Sequence, residues 1–363
     1  MPLEPIATFS VERLNILDET GNADKSLMPP LGNEDIRRLY EIMVLCRTFD
    51  QRALSLQREG RIGTYPSFLG QEASQVGSAF AIAGEDWIFP SFREMGTFIT
   101  LGYPLHLLFQ YWGGDERGLF VPVGLNIFPI CVSVGTLIPH AVGAAMGAKL
   151  RRDKCAVVTY FGDGATSKGD FHEGLNLAGV FRLPIVFICQ NNQWAISVPI
   201  NRQTAAATLA QKALAYGFEG IQVDGNDIFA VYQATRDALE KAKNGGGPAL
   251  IECFTYRMSD HTTSDDAARY RSTDEVAAWR GRDPILRLER FMAKSGHWDG
   301  TYGKDTASKA LSAVDEAIHL AESAPPPHPA EMLDHVSATL SPRQQRQREE
   351  LMQTQLDRLK GED

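Results

Sequence analysis

The spacing of apolar positions changes several times along the chain, and those changes mark out its elements. Residues 1–33 show no period and carry Pro2, Pro5, Pro29 and Pro30, so they read as an extended arm lying on another surface. From Asn33-Glu34-Asp35, an N-cap with an acidic first turn, Ile36, Leu39, Ile42, Met43 and Cys46 recur on one helical face. A second helix is predicted over Gln71–Ala83, and residues 113–130, with Gly, Pro and Asn but little period, read as a long functional loop. Gly143 and Gly147 among Ala141, Ala144, Ala145 and Ala148 predict a helix at 141–148 that lets a neighbour approach closely. Ala156–Phe161 is then a nearly unbroken apolar run, as expected of a strand buried on both faces. A helix over Asp170–Phe181, closed by Pro184, leads to a second buried strand at Ile185–Cys189. Strand, helix and strand at this spacing make a βαβ unit with a right-handed crossover.

The alternation continues with a helix near 208–216, a strand at Ile221–Val223, a helix at 228–243 and a strand at Ala249–Tyr256. A polar loop at 259–274 precedes helices at 275–280 and 284–295. After Pro342, Met352, Leu356 and Leu359 form one narrow stripe, suited to a surface or partner-docking helix. The expected fold is α/β, a parallel sheet flanked by helices. Its expected parts are an arm (1–33), an α/β domain (34–325) and a helical tail (326–363).

Composition narrows the partners. Thirty-six basic against 45 acidic residues leave a net charge of −9, which argues against a general nucleic-acid or anionic-membrane surface. With 44% hydrophobic and 22% charged residues the chain is expected to fold. The five cysteines form no C-x-x-C pair, and Cys155 and Cys189 sit in apolar runs, so they read as buried reduced thiols rather than zinc ligands. No window approaches 18 uninterrupted apolar residues, and Met-Pro-Leu-Glu-Pro has no basic n-region. The expectation is a cytoplasmic, bacterial-like protein with neither membrane nor nucleic acid as partner.

The chemistry concentrates in Phe161-Gly162-Asp163-Gly164-Ala165-Thr166-Ser167 and in Gln190-Asn191-Asn192. Glycines where a strand turns into a helix leave bare amides pointing outward, an anion site suited to phosphate. Ser167 stands where a dinucleotide fingerprint needs its third glycine, and Lys168 is followed by Gly169 rather than by the Ser or Thr of a Walker loop. Asp163 would also repel a phosphate unless a cation stood between them. It is therefore a candidate ligand for a hard divalent ion bridging to a diphosphate. Asn192, 29 residues after Asp163 and at the carboxyl end of the next strand, is placed to join it. Either motif alone is an ordinary turn; together, across one helix, they are specific.

This pairing resembles the thiamine diphosphate signature of transketolase-type enzymes. The resemblance extends over nearly the whole chain, through Gly70-Gln71-Glu72-Ala73-Ser74-Gln75, Pro90-Ser91-Phe92-Arg93, Asn191-Asn192-Gln193-Trp194-Ala195-Ile196-Ser197 and His261-Thr262-Thr263-Ser264-Asp265-Asp266 with Arg269-Tyr270-Arg271. Taken together these are similar to the α subunit of the 2-oxo acid dehydrogenases, pyruvate or branched-chain. The resemblance implies a thiamine diphosphate-binding fold of the transketolase diphosphate-domain type. It also implies magnesium held by Asp163, Asn192 and the carbonyl of Trp194, with the diphosphate met by Gly162, Gly164 and Ala165 and clamped by Arg93. Phe92 would pack nearby, backbone groups of Val132 and Val134 would hold the aminopyrimidine, and Tyr65 would border the substrate pocket. His261 is the candidate catalytic histidine, able to stabilise charge or move a proton. His261, Arg269 and Arg271 would order the 259–274 loop around the diphosphate or neighbouring acids.

The implied reaction is oxidative decarboxylation of pyruvate, with acyl transfer to lipoamide on the lipoyl domain of an acyltransferase component. The glutamate that protonates the aminopyrimidine would come from a β subunit in an α₂β₂ heterotetramer. Gln190 and Gln-Glu-Ala-Ser-Gln favour the pyruvate branch, since branched-chain relatives often carry arginine at the position of Gln190. The alternatives are a branched-chain 2-oxo acid dehydrogenase α subunit and, from another class, a non-catalytic nucleotide-binding protein. A self-sufficient decarboxylase would need a further pyrimidine-binding domain for which this chain is too short.

Overall fold

In the computed structural model, residues 3–334 and 336–361 are described. The chain begins with a short strand, β1 (Glu12–Leu14), then α1 (Asn33–Arg58), α2 (Glu72–Phe80), β2 (Trp87–Phe89), α3 (Met95–Thr100) and α4 (Leu105–Trp112). Next come α5 (Leu137–Arg151), β3 (Val157–Gly162), α6 (Gly169–Val180), β4 (Ile185–Asn191) and a small hairpin, β5 (Trp194–Ala195) and β6 (Val198–Pro199), closed by α7 (Ile200–Gln203). The remaining core elements are β7 (Gly220–Asp224), α8 (Ile228–Lys243) and β8 (Ala249–Phe254), followed by α9 (Thr273–Arg280), α10 (Pro284–Lys294) and α11 (Gly300–Glu322). Six strands form one parallel sheet in the order β1-β7-β8-β4-β3-β2. The expected α/β architecture is what the chain adopts.

Both faces of the sheet are covered, which explains why β3 and β4 are apolar at nearly every position. Val157, Phe161, Ile185, Phe187 and Cys189 join α5 and α6 in one core cluster. The alternate residues face the other way: Tyr160 Oη lies 3.0 Å from Ser78 Oγ of α2, and α2 packs on α8. On α1 all five predicted apolar positions are buried, but the cap is Gly32, whose N–H donates to Asp35 Oδ2 at 2.9 Å.

The arm departs from its expectation. β1 pairs in parallel with β7, so this part of the arm lies on the chain's own sheet. The cause is Asp227, whose Oδ2 accepts the N–H groups of Ile16 (2.6 Å) and Leu17 (2.7 Å) while Oδ1 caps α8 at Phe229 and Ala230. The 208–216 segment is a 3₁₀ helix, Ala210–Tyr216, rather than an α-helix, and Gly217 at φ 78° ends it. The 113–130 loop holds one 3₁₀ turn, Glu116–Leu119. The chain separates into two compact units, one up to Ile318 and one from His319 onward. The second contains α12 (Glu331–Asp334) and α13 (Pro342–Gly361), with Arg348 and Asp334 paired at 3.0 Å. The stripe expected on α13 falls outside the described side chains at Leu356 and Leu359.

Candidate functional site

Gly162 at the end of β3 pairs with Gln190 near the end of β4, so the chain leaves two adjacent parallel strands at the same sheet edge. This is the edge where open α/β sheets bind ligands. The amides after β3 do not open α6 directly. Asp163–Ser167 form a 3₁₀ turn, closed by Thr166 Oγ1 donating to Asp163 O at 2.9 Å and Lys168 N to Ala165 O at 3.0 Å. Only after Lys168, in extended conformation, does α6 begin.

Above this edge lies a cavity of about 270 Å³. It is lined by Gly162, Asp163, Gly164, Ala165 and Asn192 from the two strand ends, by Trp194, Ala195 and Ile196 of the hairpin, and by Phe92, Arg93, Val134 and His261. Nearly every residue proposed from the motifs thus meets in one place. Val132 and Tyr65 are not in the lining: Val132 is exposed on the surface, and Tyr65 is fully buried with its hydroxyl donating to Asp50 Oδ1 at 2.9 Å.

The donor set fits a hard cation. It combines a buried carboxylate, a carboxamide oxygen and a main-chain carbonyl, all oxygen ligands of the kind magnesium takes. Burial pushes the Asp163 carboxyl up, opposed by hydrogen bonds from Gln203 and the Asn192 backbone and by the charge of Arg257. Trp194 O already accepts Arg257 Nη1 at 3.0 Å, and a carbonyl's second lone pair remains for an ion.

His261 is held between two arginines. Arg93 Nη2 lies 3.1 Å and Arg257 Nη1 3.2 Å from its Nδ1. A guanidinium can only donate, so Nδ1 is the acceptor and the neutral ring carries its proton on Nε2. Burial, with Arg93 and Arg257 beside it, lowers the imidazole to about 3. Arg93 itself is buried, lowered to about 10 by desolvation and the nearby Arg257, and donates to Ser67 O (2.5 Å) and His261 O (2.9 Å). The loop beyond His261 is knitted to these groups. His261 N donates to Asp265 Oδ2 at 2.9 Å, Tyr270 Oη donates to the same oxygen, and Arg271 spends its donors on the carbonyls of Arg257 and Met258 rather than on acids.

Arg257, Glu94 and Gln203 lie outside every motif read from the sequence, and Gln71 lies within the Gly70–Gln75 motif without a role of its own. Arg257 is fully buried and grips Trp194 O, Ile196 O and Tyr270 Oη. Glu94 lines the cavity, accepts Gln190 Nε2 at 2.6 Å, and is raised to about 7 by burial. Gln71 and Gln203 touch Asn192 and Asp163 from distant parts of the chain. Only folding brings them there.

Residues 40–330 match the family model described as Dehydrogenase E1 component. The chain belongs to the dehydrogenase E1 component family. It is 42% identical over 334 residues to the 3-methyl-2-oxobutanoate dehydrogenase subunit alpha of Mycobacterium tuberculosis (strain ATCC 25618 / H37Rv), covering 92% of this chain and 91% of that protein. It is 43% identical over 314 residues to the pyruvate dehydrogenase E1 component subunit alpha of Staphylococcus aureus (strain N315), covering 86% and 85%. The subunit of the same name from Bacillus cereus is 42% identical over 316 residues, again 86% and 85%. Membership in the E1 component family carries with it a thiamine diphosphate-dependent 2-oxo acid dehydrogenase chemistry. Among the described residues, no helix is long and apolar enough to cross a membrane.

Proposed function

We propose that this E1-family chain is the α subunit of a pyruvate dehydrogenase and works with a β subunit in a cytoplasmic complex. The observation that carries the reading is the meeting of Asp163, Gly164, Asn192 and Trp194 at one sheet edge, in a cavity that His261 also lines. In this reading magnesium is held by Asp163, Asn192 and the Trp194 carbonyl, and the Gly164 and Ala165 amides meet the diphosphate. Bound thiamine diphosphate supplies the electron sink for decarboxylation. Arg93 adds positive charge beside the diphosphate, Phe92 packs on it, and the backbone at Val134, which lines the cavity, holds the aminopyrimidine. His261 acts as an Nε2–H donor to developing negative charge, because its Nδ1 is occupied. Tyr65 shapes the pocket at one remove: Asp50 holds both Tyr65 and Ser67, and the Ser67 carbonyl holds Arg93.

A β partner supplies the missing glutamate, and the acyl group passes to a lipoyl domain. Surfaces consistent with partner contact are present. A Cβ at Gly143 or Gly147 of α5 would meet nothing within 4 Å, and Leu150, Val180 and Phe181 stand exposed. Pyruvate is favoured by Gln190, a neutral amide paired with Glu94 where branched-chain relatives often carry arginine. The 92% coverage by the mycobacterial relative supports 3-methyl-2-oxobutanoate as a second reading.

The test is reconstitution with the β subunit and comparison of kcat/KM for pyruvate and 3-methyl-2-oxobutanoate. Pyruvate should be preferred, and the α chain alone should not turn over; full activity without a partner would refute the shared site. Asp163→Ala should abolish magnesium-dependent retention of thiamine diphosphate. Wild-type retention by that variant would remove the site assignment.

A further inference from the structure

Two glutamines, the buried Gln71 at the start of α2 and the half-buried Gln203 after the β5–β6 hairpin, touch the two side chains assigned to the cation. Gln203 Nε2 donates to Asp163 Oδ2 at 2.6 Å and to Val198 O at 3.1 Å. This amide orientation is fixed by charge, because the flipped one would set oxygen against a carboxylate. Gln71, fully buried at the start of α2, accepts Asn192 Nδ2 with its Oε1 at 3.2 Å. That commits the nitrogen of Asn192 to Gln71 and leaves its Oδ1 as the ligating atom.

Each glutamine also keeps one buried polar atom with no protein partner, Nε2 of Gln71 and Oε1 of Gln203. Buried polar groups are as a rule paired in native proteins, so an unpaired amide atom beside a ligand side chain marks a place for a bound group or a water. Gln71 lines the cavity, so its free donor calls for an acceptor there. The free acceptor of Gln203 calls for a donor beside Asp163. An anionic diphosphate oxygen meets the first need, and a water bound to the cation meets the second.

We infer that Gln71 and Gln203 are positioning residues of the cation site: each fixes one ligand side chain with one amide atom and offers the other to the loaded site. This rests on the cation-site reading proposed above. Their loss should act on metal affinity directly, since partners that orient ligands typically contribute about 10–100-fold to it.

Mn²⁺ binding to the full-length chain, followed by electron paramagnetic resonance in the presence of thiamine diphosphate, tests the inference apart from turnover. Gln71→Met and Gln203→Met should each raise the Mn²⁺ dissociation constant about 10–100-fold. Gln71→Glu keeps an acceptor for Asn192 but turns the free donor into a charge. It should retain Mn²⁺ affinity better than Gln71→Met while losing affinity for thiamine diphosphate, a split that general loss of structure would not give. If both methionine variants bind Mn²⁺ like wild type while Asp163→Ala does not, the positioning role is overturned and the cation site stands. If wild type binds Mn²⁺ no better than Asp163→Ala, the cation site itself is wrong and the inference falls with it.

Discussion

Replacing Gly164 with alanine would set a new methyl carbon 2.9 Å from Ala195 Cβ, where ordinary contact begins at 3.4 Å. The two segments would have to part by about 0.5 Å, the tolerance within which a functional constellation must be held. Neither side can yield by rotating a side chain. Ala195 has no rotamer to change, β5 is paired with β6, and Arg257 grips the carbonyls of Trp194 and Ile196 on either side of it. Gly164 does not have positive φ, so the penalty is contact rather than backbone strain. Overpacking of this kind costs about 1–3 kcal/mol. The displaced segment carries the Trp194 carbonyl, so cofactor affinity should fall as well. Ala195→Gly removes the opposing methyl at a backbone cost of about 0.5–1 kcal/mol. In the double variant the two effects should couple by about 0.5–3 kcal/mol in the favourable direction. Urea unfolding gives the stabilities, and calorimetric titration with thiamine diphosphate and magnesium gives the affinities. If Gly164→Ala matches wild type in both, or if the double variant is no better than Gly164→Ala, the reasoning from this contact is wrong.

Other consequences can be measured separately. The segment from Ser259 to Ser272 buries only Ala267 among its side chains, so it has little apolar contact to offset the entropy of ordering. Proteases should cut it in cofactor-free protein and spare it once thiamine diphosphate and magnesium are added; equal cleavage in both would leave it a plain surface linker. For His261, the folded pKa of about 3 lies below the ordinary 6.5, so between these values the unfolded chain binds the proton more readily. Stability from this group is full above about pH 6.5 and declines as pH falls toward 3. Histidine ring NMR should show the imidazole still neutral at about pH 5; a ring titrating near 6.5 would break the two-arginine arrangement.

The βαβ unit was legible because a strand buried on both faces must be apolar at nearly every position, as Val157–Phe161 and Ile185–Cys189 are. The ligand pair was legible for a related reason. Parallel strands joined by one helix end at the same edge, so sequence spacing alone placed Asp163 near Asn192. Short elements were another matter. β1 has only three residues, and its place in the sheet is set by Asp227, more than two hundred residues away, through hydrogen bonds that no local pattern records. The 3₁₀ turn at Asp163–Ser167 likewise differs from an α-helix by which carbonyl each donor reaches, a choice the residue types leave open. Arg257, Gln71 and Gln203 lie outside the recognised ligand set because an amide or guanidinium has meaning only through its partners. Their partners are carbonyls, a carboxylate and an amide supplied by distant segments. Residue identity therefore determined which atoms could hold a cation and an anion, and tertiary packing decided how those atoms are oriented, because hydrogen bonds between distant segments exist only once the sheet edge has been assembled.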